Sequence, residues 1–395
     1  MKINFTIHFF LILLFISHNS YNQERIVIEG SVVDEYDIEV PYAAVGIIKK
    51  NIGVTSTEDG TFSFYVSNNE LDDLLQISSI GFETYKVKIK DFIYGDKKII
   101  LAEKVSSLEG VVVSTPLNNV KLAFKQIKEN FISNTHQLDI LYRRWDVEEK
   151  ICRYFIEHYL TVVERGPPSM FRRYSLRESR NSADYRYIKN NAKTHPIENT
   201  VWMNPIRNGA SIRSMKWNKI DVTNYDDEDL IVYEGVSDTE TIKLFIGFDT
   251  NKIYRVERSW KPTVGKSQNG IWIYKKNAKG KLYLSYHQRE WIGARKLSQK
   301  LKNLLLSNGK KAPNFVPVEF RHELFVVGLK ENKKDFDDFD ETIEKMDMSL
   351  YKIPYNHNFW KSFSLPPETN YFKKNKNELE SIFNVSLENQ FKYSN

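Results

Sequence analysis

The strongest hint of chemistry in this 395-residue sequence is the run YHQREWIGA, Tyr286 to Ala294, where His287 and Glu290 stand three positions apart. Imidazole and carboxylate are zinc-ligand types, and a catalytic zinc centre needs a third protein ligand and a general base besides. The surrounding pattern argues against a site. Apolar and polar residues alternate through KLYLSYHQREW, which predicts a strand, and on a regular strand residues three apart face opposite sides of the sheet. Only a bend would bring both onto one ion. Glu157 adjoins His158, but His158, His195 and His136 are isolated from one another in sequence, and a lone histidine is ordinarily a satisfied structural residue. HExxH, GxSxG, a Walker loop and GxGxxG are absent from the sequence. The single cysteine, Cys152 in the alternating stretch CRYFIEHYLTVV, excludes an internal disulfide and reads as a small buried apolar residue.

The HQRE run closely resembles the HxxE zinc motif of metallocarboxypeptidases, in which the histidine and glutamate bind zinc and an Arg-Glu-Trp continuation is common. That resemblance implies a further histidine ligand far downstream. Here His322 and His357 stand too near to match it, and the sequence from Trp291 to Asn395 offers no other. His287 and Glu290 are therefore declined as metal ligands, and no catalytic residue, cofactor or metal is assigned.

What must position any site is better marked. Lys2, the apolar run Phe9 to Ile16 and the polar stretch His18 to Asn22 have the order of a secretory signal peptide over residues 1–22, cut between Ser20 and Gln23. No cysteine follows the run, so a lipid anchor is not expected. After Gln23 charges interrupt every apolar stretch, and none approaches the roughly 18 residues of a membrane helix. The 22 Tyr, 24 Phe and 7 Trp favour β-rich structure, and the length suits two or three domains. Charge is unevenly spread. Residues 24–115 carry 9 Lys and Arg against 16 Asp and Glu, a net of −7, and residues 116–395 carry 47 against 35, a net of +12. Such a split fits an anionic surface, lipid head groups or acidic glycans; a solvated lysine-rich exterior is the plainer reading.

From Ile26 the pieces IVIEGSVVD, VPYAAVGIIKK, GVTSTEDGTFSFYV, LLQISSIGFETYKVKI and KKIILAEK are short apolar strands parted by turn residues. Asp59-Gly60 marks a tight hairpin, after which Phe62, Phe64 and Val66 alternate onto one face, and Gly81-Phe82 precedes the alternating Tyr85, Val87 and Ile89. The order G-x-V-x-D, P-x-A-x-V, G-x-x-S-T-E-D-G-x-F, S-S-I-G-F-E and the exit LEGVVV, Leu108 to Val113, resembles the carboxypeptidase regulatory-like domain common at the front of Bacteroidetes envelope proteins. The resemblance implies a transthyretin-like sandwich over residues 23–114 with no catalytic residues. Glu58 and Asp59 belong to turn chemistry rather than to a calcium site.

After Pro116 the period changes: Val120, Ala123, Phe124, Ile127 and Phe131 share a helical face, with Thr115 as cap and Pro116 as first residue. Strands are predicted at Arg153–Val163, Asp229–Val236, Thr241–Phe248, Lys252–Trp260, Ile271–Lys275, Lys281–Trp291 and Pro317–Val327, with turns at Asp249–Lys252 and Asn277–Gly280. The expected fold is mainly β with an α+β second domain: an N-terminal antiparallel β-sandwich, then a helix followed by a large curved antiparallel sheet over residues 115–329. Lipoprotein-carrier-like envelope folds have that plan, and a simple packed α+β domain with no cavity fits it equally. In TonB-dependent receptors the same sandwich leads into a glycine-rich plug and a membrane barrel; a lysine-bearing helix follows here, without serial lipid-facing strands. Residues 330–395 hold an acidic loop with DFDDFDET, then NHNFWKSFSLPP and ELESIFNVSLENQF, which resemble the closing segment of a Bacteroidetes family with the sandwich at its front.

These features point to a non-enzymatic protein of the periplasm or outer membrane, with the sandwich as docking module and the basic second domain binding a lipid, glycan or protein. No nucleic-acid partner is expected, and peripheral association with the outer membrane is. The alternatives are a zinc-dependent carboxypeptidase-like hydrolase using HQRE, with Glu157-His158 as a second place to look, and an accessory part of TonB-dependent uptake.

Overall fold

The structure is a computed structural model that describes residues 25–105, 114–189, 192–208, 212–263, 266–338, 346–351 and 353–394. The signal-peptide reading and the Leu108–Val113 exit fall outside them.

Seven short strands form the first unit: β1 (Arg25–Asp34), β2 (Ala44–Ile47), β3 (Ile52–Thr55), β4 (Thr61–Ser67), β5 (Leu74–Ser78), β6 (Tyr85–Lys88) and, after helix α1 (Ile89–Tyr94), β7 (Lys98–Leu101). They make two sheets, ordered β4-β1-β7 and β3-β2-β5-β6. Residues of alternate parity from both sheets, among them Ile28, Val32, Val45, Phe62, Phe64, Val66 and Ile77, fill the space between them. The turn at Asp59-Gly60 is present, with Gly60 at φ +70°, but it does not join neighbours in one sheet. β3 and β4 lie in opposite sheets, so the turn carries the chain across the sandwich.

Helix α2 (Pro116–Lys125) begins at proline as expected, although the Thr115 side chain makes no capping bond. The helix breaks at Gln126 and resumes as the single turn α3 (Ile127–Asn130). Ten strands then build one sheet: β8 (His136–Glu148), β9 (Ile151–Glu164), β10 (Arg173–Asn181), β11 (Lys216–Tyr225), β12 (Glu228–Val236), β13 (Glu240–Gly247), β14 (Ile253–Thr263), β15 (Lys266–Lys276), β16 (Leu282–Lys296) and β17 (Phe315–Lys330). Its order is β10-β9-β8-β17-β16-β15-β14-β13-β12-β11, antiparallel throughout and not closed into a barrel. The last strand is inserted at the centre, between β8 and β16.

One face of this sheet is covered by α2, α3 and the segment holding α4 (Ile197–Trp202) and α5 (Pro205–Asn208). Leu138, Tyr142, Leu160, Leu244, Val256, Trp272, Tyr274 and Leu324 fill that core. Two glycines give the tryptophan rings room: a Cβ at Gly270 would stand 2.7 Å from the Trp272 ring, and one at Gly293 2.5 Å from the Trp291 ring. The opposite face takes the sandwich, along β3, and beside it the C-terminal helices α7 (His357–Ser362), α8 (Asn370–Ser381) and α9 (Leu387–Ser394). Helix α6 (Gln299–Ser307) sits in the connection between β16 and β17. Among the described residues no helix is long and apolar enough to cross a membrane.

Candidate functional site: a cleft at the junction

Strand alternation decides where each candidate residue goes. β16 pairs with β17 in continuous register from Tyr286 to Lys296, so His287 and Glu290 face opposite sides. His287 lies on the helix-covered face, buried, its ring stacked on Trp272 at 4.6 Å and its Nδ1–H donating to the Ile271 carbonyl at 2.9 Å. Burial presses its pKa down to about 3, so the ring is neutral. Glu290 lies on the junction face, where burial and then neighbouring Glu319 raise its carboxyl. Among the described residues no group of three or more His, Cys, Asp or Glu could hold a metal ion.

Glu157 and His158 separate in the same way. Glu157 is fully buried on the junction face between Arg143 and Arg180. Burial alone would raise its carboxyl, but Arg180 and Arg143 hold it below the usual range. His158, on the other face, meets His195 at 3.0 Å. The Ile197 amide donates to His195 Nδ1, so His195 donates from Nε2 to His158 Nδ1 and both rings are neutral, His195 pushed down by burial to about 3. Tyr142 and His322 Nδ1 share another bond at 3.1 Å. Neither histidine of the first pair reaches solvent, so the arrangement ties the interior together and presents no base to a substrate. His136 completes the set beside Glu164, which also binds Arg207. Cys152 is buried, and burial raises its thiol well above the usual range.

The junction face has a different make-up. Arg321 Nη2 binds Glu58 of the sandwich at 2.6 Å and Glu323 of β17 at 2.8 Å. The Tyr42 ring stacks on Tyr286 at 4.8 Å, and both hydroxyls donate to Gln288 Oε1. Lys275 is buried and donates to the Gly53 carbonyl at 3.1 Å; burial lowers its pKa to about 8. These bonds clamp the sandwich onto the sheet.

Next to the clamp the surfaces part into a cleft of about 400 Å³. Its walls come from three distant stretches: Arg25, Ile52–Val54 and Ser63–Tyr65 of the sandwich, Asp139, Tyr159 and Val327–Lys330 of the sheet, and Ser362–Ser364 after α7. Asp139 receives hydrogen bonds from Gln137 at 3.1 Å and Thr161 at 3.4 Å and lies 3.6 Å from Lys330 Nζ. Burial raises its carboxyl, opposed by Lys330. Tyr159 packs tilted against Phe359 and edge-on against Phe363, and its hydroxyl has no hydrogen-bond partner among the described residues. Rings, hydroxyls, one carboxylate and three cations, Arg25, Lys50 and Lys330, thus meet in a space of ligand size. No spacing in the sequence flags these positions.

The architecture is that of a sandwich fixed to an open antiparallel sheet, with a cleft between them. A family model of the CarboxypepD_reg-like domain matches residues 28–113, a regulatory and not a catalytic module. No curated protein matches the chain. Among solved structures, an outer membrane lipoprotein-sorting protein domain from Vibrio parahaemolyticus has 8% identity and a TM-score of 0.30, covering 56% of this chain and 94% of its own. A DUF1329 family protein from Desulfovibrio piger has 10% identity and a TM-score of 0.28, covering 57% and 96%. Likenesses this loose leave function to the residues of the chain itself.

Proposed function

We propose that this chain is an exported, non-enzymatic binding protein of the cell envelope, and that its ligand is a glycan held in the junction cleft. The observation that carries the reading is the cleft itself, ligand-sized and walled by three separated segments that the clamp holds in place. Sugars offer flat C–H faces to aromatic rings and hydroxyls to carboxylates and amides, and Tyr65, Tyr159, Phe363, Asp139 and the serines Ser63 and Ser364 supply both. The helix-covered face is filled by large side chains, which favours the cleft over an internal lipid site. Among the described residues strands β6 and β7 end their sheets without a further neighbour, and these edges would suit a protein partner.

Titration calorimetry of the purified chain against envelope oligosaccharides tests the proposal. Binding is expected, and Tyr65→Ala or Lys330→Ala should weaken it roughly tenfold or more, the cost of one stacked ring or one charged hydrogen bond. Binding that ignores both substitutions, or none across acidic and neutral glycans, overturns it.

A further inference from the structure

The connection between β16 and β17 combines positive charge with exposed apolar side chains. Between Glu290 and Glu319 the sequence holds no Asp or Glu but six cations: Arg295, Lys296, Lys300, Lys302, Lys310 and Lys311. None of the six makes an ion pair among the described residues, whereas lysines elsewhere, such as Lys50, Lys90 and Lys276, do. Arg295 rests on the Trp291 ring and Lys302 donates to Asn314 Oδ1. Leu301 and Leu305 of α6 anchor the helix on Leu297, Val316 and Val318. The same helix leaves Leu304 55% and Leu306 61% exposed, and Phe315 just beyond is 59% exposed. Residues 306–311 are exposed without interruption. This element therefore stands off the end of the sheet's two longest strands, with apolar side chains bare among unpaired ammonium groups.

We propose that the α6 connection is a docking surface for a lipid bilayer containing anionic head groups. Clustered cations repel one another unless an anionic surface takes up their charge, and each lysine or arginine near such a surface adds attraction. Exposed leucines between lysines are what interfacial segments use: the apolar groups enter the head-group boundary while the lysine stems let the ammonium groups reach phosphate. A nucleic acid or acidic protein is a poorer fit, because five of the six cations are lysines and the one guanidinium is stacked on Trp291. This inference is independent of the cleft and of what the cleft binds.

The test is sedimentation of the purified chain with phosphatidylcholine vesicles made with and without phosphatidylglycerol. Binding is expected only with the anionic lipid, and should be lost as NaCl rises from about 0.1 to about 1 M. Lys300→Gln with Lys310→Gln and Lys311→Gln should lower the partition coefficient about a hundredfold, at roughly fivefold per cation. Leu304→Ser with Leu306→Ser should lower it roughly tenfold or more without changing the salt dependence. All five positions are exposed, so thermal unfolding should be unchanged in both variants. Failure of the native chain to sediment with anionic vesicles, or equal sedimentation of the lysine variant, overturns the proposal. So does a preference for heparin or RNA that prevents vesicle binding.

Discussion

The two faces of the ten-stranded sheet differ in the polar groups they bury. Under the helices lie all the buried histidines among the described residues, and four of them, His158, His195, His287 and His322, are held neutral by burial. Under the sandwich and C-terminal helices the buried groups stay charged and are paired across chain segments, as in Arg143–Glu157–Arg180 and Glu58–Arg321–Glu323. The helix-covered face also buries ion pairs, Arg144–Asp347, Asp146–Arg186 and Glu164–Arg207, so the neutral imidazoles are what set it apart. On the junction face the pair Glu58–Arg321 joins sandwich to sheet, which suits a seam that leaves a polar cleft beside it.

Acid should break this contrast most strongly. The folded pKa values of His195 and His287, about 3, lie below the unfolded value near 6.5, so the unfolded chain binds more protons. Stability is fully present above about pH 6.5 and falls as pH drops toward 3, by about 3 kcal/mol for each ring at pH 4. Urea unfolding from pH 7.5 to 4 should show it, and His287→Gln, which keeps a donor for Ile271, should flatten the acid limb. A pH-independent midpoint would show that these rings do not titrate on unfolding.

Next comes removal of an anion from the junction face. Glu157→Gln leaves Arg143 and Arg180 buried together and should cost about 3 to 5 kcal/mol in denaturant unfolding. A loss near zero would mean water already reaches the triad. Lys275 sharpens the comparison from the other side, as a buried cation of the junction without a carboxylate partner among the described residues. Its folded pKa of about 8 lies below the ordinary 10.5, so stability should rise as pH climbs from about 8 to 10.5, and Lys275→Met should gain about 2 kcal/mol at pH 7. The smallest effect is expected from Tyr42→Phe. Losing its bond to Gln288 should cost about 1 kcal/mol, and differential scanning calorimetry would detect it.

Much of the sheet could be read from alternation, including the separation of His287 and Glu290 and both turns at Asn251 and Gly280. β8 could not. Its stretch HQLDILYRRWDVE carries Arg143, Arg144 and Asp146, charges that read as surface, yet every residue of the strand is buried. Partners far along the chain make that burial tolerable: Glu157 for Arg143, Asp347 for Arg144 and Arg186 for Asp146. β10, with RESR in its middle, was hidden for the same reason. Asp347 lies in the acidic stretch expected to form a loop, and is itself fully buried. The cleft was illegible in principle, since Arg25, Asp139 and Ser364 meet only after three parts of the chain have folded. The clamp at Tyr42 and Glu58 was equally silent, because Tyr42 falls in a strand-like piece and turn chemistry gave Glu58 a sufficient local reason.

The position of β17 sets the order in which this molecule can be completed. Before residues 315–330 are available, β8 and β16 are bare edges of two half-sheets, β10-β9-β8 and β16 through β11. The seam cannot close until residues 315–330 are present, and its β8–β17 pairings join residues nearly half the sequence apart, which makes closure slow. A chain threaded through a translocation pore from its N-terminus would emerge with both edges still open. It would need a holding factor to keep those edges from pairing with other chains until the final strand arrives.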